Sequence, residues 1–221
     1  MDKLFLAVVM SLIVGCASGP SIDQGPDAEL TYDGLSPIRN SAFQRAWIDP
    51  EADLTRYNKI LVGAVDFDFR TVSQADFRSS VDSSQVREFY ITEENRAQLI
   101  ETVSGAFREE LGTIRSFTLT DQPGADTLVL TGTLLDIVSR VPPQRTGSGA
   151  PYLSSLGEAT LVFELRDSLS GETLYRAADR QAIARPHASI RATRSTAWAE
   201  VRRWAQSWAT RVRDGLDSIH E

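Results

Sequence analysis

From Ala159 to Arg166, the chain places Ala159, Leu161, Phe163 and Leu165 on one side of an extended backbone and Thr160, Val162, Glu164 and Arg166 on the other. A period of two is the mark of a strand buried on one face, and a one-residue slip would turn its whole apolar side into water. Asp167-Ser168-Leu169-Ser170-Gly171-Glu172 then closes a hairpin, with the glycine able to take positive φ and the aspartate able to accept from nearby backbone N–H groups. Thr173–Ile183 returns as the partner strand. A sheet built on this hairpin has one dry face, so other parts of the chain must cover it.

Two helices are available for that purpose. Thr92 can cap the first, with Glu93 and Glu94 in its opening turn, Leu99, Val103, Ala106/Phe107 and Leu111 at helical spacing, and Gly112 as the stop. The second starts near Ser195 and carries Ala197, Val201, Trp204/Ala205, Trp208, Val212, Leu216 and Ile219 at steps of three and four. Each large side chain buried from such a stripe contributes about 1.5–3 kcal/mol before entropy. Further strands are predicted at Lys59–Phe67, Ser116–Thr120 and Thr127–Val138, the last with Leu128, Leu130, Leu134 and Val138 on one face and a bulge or bend near Gly132 and Asp136. The order β-α-β-β-β-β-α predicts an α+β two-layer sandwich, a mostly antiparallel sheet with two long helices. Residues 68–91 read as a polar excursion or lid, and 139–157, rich in Pro and Gly, as a mobile loop.

Ahead of this domain, Lys3 precedes an apolar run, Leu4–Met10 and Leu12–Val14, that stops at Gly15-Cys16. The run is short for a hydrocarbon core of about 30 Å and reads as a signal peptide over residues 1–15. Ile13-Val14-Gly15-Cys16 resembles the lipobox of bacterial lipoproteins, in which the cysteine thiol receives diacylglycerol. Cys16 is the single cysteine of 221 residues, which excludes an internal disulfide framework and a cysteine-based metal site. By analogy with Gram-negative lipoproteins, Ala17 and Ser18 point to release to the outer membrane, periplasmic side. Residues 16–40 read as the lipidated N-terminus and a flexible tether, residues 17–40 lacking an apolar period and forming the tether followed by a docking segment. Phe43, Trp47 and Ile48 form an aromatic anchor ending in a turn at Asp49-Pro50, at the start of a single periplasmic domain over 41–221.

The lipobox, Trp47-Ile48-Asp49-Pro50, Tyr57-Asn58-Lys59, Pro123-Gly124-Ala125-Asp126-Thr127-Leu128, the Asp167…Gly171-Glu172 hairpin and the Trp-rich last helix occur in an order that resembles the lipoprotein family known as domain of unknown function 3313. The resemblance covers most of residues 30–217 and implies an envelope lipoprotein. The family has no established activity, so no catalytic residue is carried over.

Little in the sequence points to catalysis. His187, in Arg185-Pro186-His187-Ala188-Ser189, could serve as a base for Ser189 or another serine, but no Gly-x-Ser-x-Gly elbow accompanies it, and an exposed loop histidine is the better reading. His220 reads as a solvated terminal residue. Glu93/Glu94 and Glu109/Glu110 diverge on their helices, and no metal or cofactor motif is present. The net charge of -7 argues against nucleic acid as a partner.

One asymmetry remains. Residues 176–213 hold nine arginines against Asp179 and Glu200. Arg191, Arg194, Arg202 and Arg203 are the candidates for binding an anionic envelope component, since arginine suits bidentate contact with phosphate or carboxylate. A helix face neutralised by the chain's own acids is the competing reading. The function expected is a lipid-anchored, non-enzymatic binding or scaffold module that meets an envelope protein or anionic component, with an envelope-acting hydrolase or transferase as the alternative.

Overall fold

A computed structural model describes residues 19–25, 28–72, 88–142 and 149–220. Strands β1 (Ser21–Ile22), β2 (Ser36–Arg39), β3 (Arg45–Ile48) and β4 (Lys59–Phe69) precede helix α1 (Glu93–Leu111). After it come β5 (Thr118–Leu119), β6 (Thr127–Ser139), β7 (Tyr152–Leu153), β8 (Ser155–Asp167), β9 (Thr173–Ala184), β10 (Ile190–Arg191) and helix α2 (Arg194–Asp217). Among the described residues one sheet runs β1-β2-β3-β9-β8-β6-β4-β5, and β7 pairs with β10 apart from it. Only β4 pairs in parallel, with β5 and β6, because α1 provides the crossover that a parallel pair needs. The remaining pairs are antiparallel, so the architecture is the predicted α+β sandwich with both helices on one face.

The core has the predicted composition. Ala159, Leu161, Phe163 and Leu165 of β8 are buried with Leu128, Leu130 and Leu134 of β6 against Leu99, Val103 and Phe107 of α1 and Val201, Trp204, Trp208 and Val212 of α2. Thr92 caps α1 by accepting from the Asn95 N–H at 3.3 Å. Thr193, two residues before the expected start, caps α2 by accepting from Thr196 at 3.1 Å. Gly171 takes φ +75°, and Asp167 Oδ1 accepts from the Leu169 and Ser170 N–H groups at 2.8 and 2.9 Å, so the hairpin forms as its residues dictate.

Three expectations are corrected. The segment read as tether through residue 40 includes β1 and β2, and the aromatic anchor is in part strand β3, which pairs with β9 through Trp47 and Arg176. Phe43 packs edge-on against Phe163 in the core, at 4.9 Å between ring centroids. The segment read as a mobile loop begins at the end of β6 and contains β7 and the first residues of β8; only 143–148 lie outside the described residues. Most of the expected 68–91 excursion, residues 73–87, also lies outside them, as do residues 1–18 and with them Cys16.

Candidate functional site

The sheet's two ends are built differently. At the hairpin end, Asp167 also accepts from the Tyr57 hydroxyl at 2.7 Å and pairs with Arg56 at 3.1 Å. The amide of Ser170 foremost, then the Tyr57 hydroxyl, hold its carboxyl down at about 2. His220 adds a clamp there: its Nε2 lies 2.9 Å from the Tyr57 carbonyl oxygen and its ring stands edge-on to Phe117. His220 is exposed, as expected, and these contacts also tie the segment after α2 to Tyr57, two residues before β4.

At the opposite end, β6 and β8 both break register, between Leu135 and Val138 and between Ser155 and Glu158. Asp136 takes φ +56° at the first break, where the sequence marks a bulge. Gly157 sits at the second, and a Cβ there would meet the Val138 carbonyl oxygen at 2.3 Å, so only glycine allows the strands this approach. Bulges bend a strand and increase its twist. Between these bulged ends and the first turns of both helices lies a half-open cavity of about 390 Å³. Its wall is mostly apolar, with Ile137, Val141, Leu156 and Ile183 from the sheet side and Leu99 and Trp198 from the helices. Small side chains, Ala192 and Ala197, leave the room.

Two neighbouring tryptophans of α2 show the contrast at atomic scale. Trp204 and Trp208 lie 4.4 Å apart by ring centroid, and both are buried. The Trp208 indole donates to Asp179 at 2.9 Å, and Arg211 donates to the same carboxylate at 2.7 Å. Trp204 lines the cavity, and its buried Nε1 has no partner among the described residues, nor has Arg140 Nε. Buried indole N–H groups ordinarily find an acceptor.

Of the nine arginines, seven pair with the chain's own carboxylates: Arg176, Arg180, Arg185, Arg194, Arg203, Arg211 and Arg213. The competing reading thus accounts for most of the cationic third. Of the four candidates, Arg203 is held by Glu200 at 2.6 Å and Arg194 by Glu94 at 2.9 Å, while Arg191 and Arg202 have no carboxylate partner among the described residues. Arg70 and Arg180 converge on Asp136, with Arg70 at 2.5 Å and Arg180 at 3.0 Å. The Arg70 guanidinium foremost lowers the Asp136 carboxyl pKa.

His187 stands exposed in the turn Arg185–Ala188 with φ +58°, and no side chain among the described residues bonds it. The conceived His187–Ser189 pair is not formed. Among the described residues, no group of three or more His, Cys, Asp or Glu gathers as metal ligands, and no helix is long and apolar enough to cross a membrane.

A family model for proteins of unknown function, DUF3313, matches residues 26–212. The chain belongs to the DUF3313 family. The match takes in the domain that holds the cavity and begins after Cys16. No curated protein matches the chain. Among solved structures, it is similar to a PelC dodecamer from Paraburkholderia phytofirmans, at 12% identity over 76% of this chain and 96% of that one, with a TM-score of 0.33. A Helicobacter pylori structure, a putative neuraminyllactose-binding hemagglutinin homolog, aligns at 8% identity over 78% of this chain and 89% of that one, TM-score 0.37. A Xanthomonas campestris protein of family DUF330 aligns at 12% identity over 78% and 90%, TM-score 0.40. At such scores these likenesses carry no functional argument for this DUF3313 chain.

The cavity itself had no signature in the sequence. Its walls come from both helices, three strands and two bulges, and only Asp136 and the small residues Gly157 and Ala197 hint at where packing would be left incomplete.

Proposed function

We propose that this protein is a lipid-anchored, non-enzymatic binding module of the bacterial outer membrane, whose α+β domain faces the periplasm and holds an apolar ligand between its helices and sheet. The cavity carries the reading. At about 390 Å³ it falls within the roughly 300–1,000 Å³ common to small-molecule sites, and its apolar wall favours a hydrocarbon over a sugar or nucleotide. The leader ending at Gly15-Cys16 supports the anchor. Two or more acyl chains on Cys16 would hold the protein stably in a bilayer, where a single chain would not. An anchored domain meets membrane-derived ligands at high effective concentration.

Two measurements test this reading. Labelled palmitate should enter the protein in cells and be lost from Cys16→Ala. Protein purified from its own envelope and extracted with organic solvent should release an apolar molecule near one per chain, and a variant with the cavity filled by Ala197→Trp should release none. An unlabelled wild-type chain would refute the anchor; equal yields from wild type and the filled variant would refute the site.

A further inference from the structure

The rim of the cavity restricts the ligand further. Resting on the reading above, we infer that the ligand is a single-chain amphiphile with an anionic head, its alkyl chain between the helices and sheet and its head at the start of α2. The carboxylates at this rim are already engaged: Glu93 by Arg96, Glu94 by Arg194, and Glu158 by Arg140 and Arg180. The lining itself holds Glu94 and Glu158 against Arg194, but these acids are met by arginines, and Arg191 and Arg202, which flank the lining, have no such partner among the described residues. Arg194, Trp198 and Arg202 recur every four residues on α2 and therefore share one face, and Trp198 is part of the cavity wall. Arg191 directly precedes Ala192, another wall residue.

The first turn of α2 contains no acidic residue, whereas that of α1 contains Glu93 and Glu94. The positive end of the α2 dipole is thus left without a carboxylate of its own helix. The Arg194–Glu94 pair is 68% and 75% exposed, and an ion pair that open holds its partners weakly. A carboxylate or phosphate on a ligand can displace Glu94 from Arg194 while Arg191 and Arg202 add to the attraction.

The experiment uses the full chain with Cys16→Ala, which removes the covalent lipid, and follows quenching of its tryptophans by dibromostearate. Trp198 and Trp204 line the cavity, so a bromine-bearing chain seated there lowers their emission. Dodecanoate and dodecyl phosphate, compared to separate the two anionic heads, should displace the quencher at concentrations at least about tenfold below dodecanol. Replacing Arg191, Arg194 and Arg202 together by Ala should remove most of that factor and leave dodecanol unchanged. If dodecanol competes as well as the anions and the triple variant behaves as wild type, the anionic head is refuted while the apolar ligand stands. Absence of quenching would refute both. Quenching of the Cys16→Ala chain but not of the wild-type chain in nanodiscs would identify the protein's own acyl chain as the occupant and overturn a free ligand.

Discussion

The hairpin end and the cavity end of the sheet are made from the same strands, yet one is closed by polar bonds and the other is left unfilled. At the first, a buried carboxylate meets two turn amides, a tyrosine hydroxyl and an arginine. At the second, two bulges, two small side chains and an indole without a partner among the described residues surround open space. A domain of this size has core enough to be stable without packing every part of its interior to the same density. The difference gathers the polar ties at one end and leaves at the other the open space proposed above as the binding site.

The largest effect expected belongs to the closed end. Asp167→Ala strips the acceptor from two turn N–H groups and the buried Tyr57 hydroxyl, and should cost about 3 kcal/mol or more in a denaturant titration. A loss below about 1 kcal/mol would mean that this end is not the stabilising one. The same carboxylate sets an acid limit. Its folded value of about 2 lies below the ordinary aspartate value near 3.9, so its contribution is complete above about pH 4 and is lost as pH falls toward 2. That contribution amounts to about 2 kcal/mol, and Asp167→Asn should flatten the stability profile across this window.

The tryptophan pair gives the next contrast. Trp208→Phe removes a hydrogen bond to the buried Asp179 carboxylate and should cost about 2 kcal/mol, whereas Trp204→Phe removes a donor without an acceptor among the described residues and should cost about half as much or less. Equal losses would show that ring volume, not the bond, separates the two. Smallest is a pair of alanines. Ala177→Leu overpacks a fully buried position of β9 and should cost about 1–3 kcal/mol, while Ala197→Leu enters the cavity and should leave the melting temperature within a few degrees of wild type.

These two ends were not equally legible in the sequence. The hairpin is local: Asp167, Gly171 and the alternation of Ala159–Arg166 lie in one stretch, and backbone chemistry fixes their roles. The helices likewise show their buried stripes in a single period. Strands β1 to β3 escaped because they are two to four residues long and are held by ladder pairing, with Pro37 interrupting any strand pattern. Asp167's bond to Tyr57 spans more than a hundred residues and leaves no local trace. The cavity was hidden for a related reason, since empty space belongs to no residue. The cationic third was visible by composition alone, but its neutralisation by Asp33, Glu110, Asp136 and Glu158 depends on contacts between distant segments.

Hydrogen exchange with and without dodecanoate tests most directly whether the open end is a ligand site. Protection should rise at Ser139–Val141, Leu156–Glu158 and the first turns of both helices, while the amides of the Asp167–Glu172 hairpin stay as they were. Unchanged exchange at the cavity end, or a change confined to the hairpin, would contradict it.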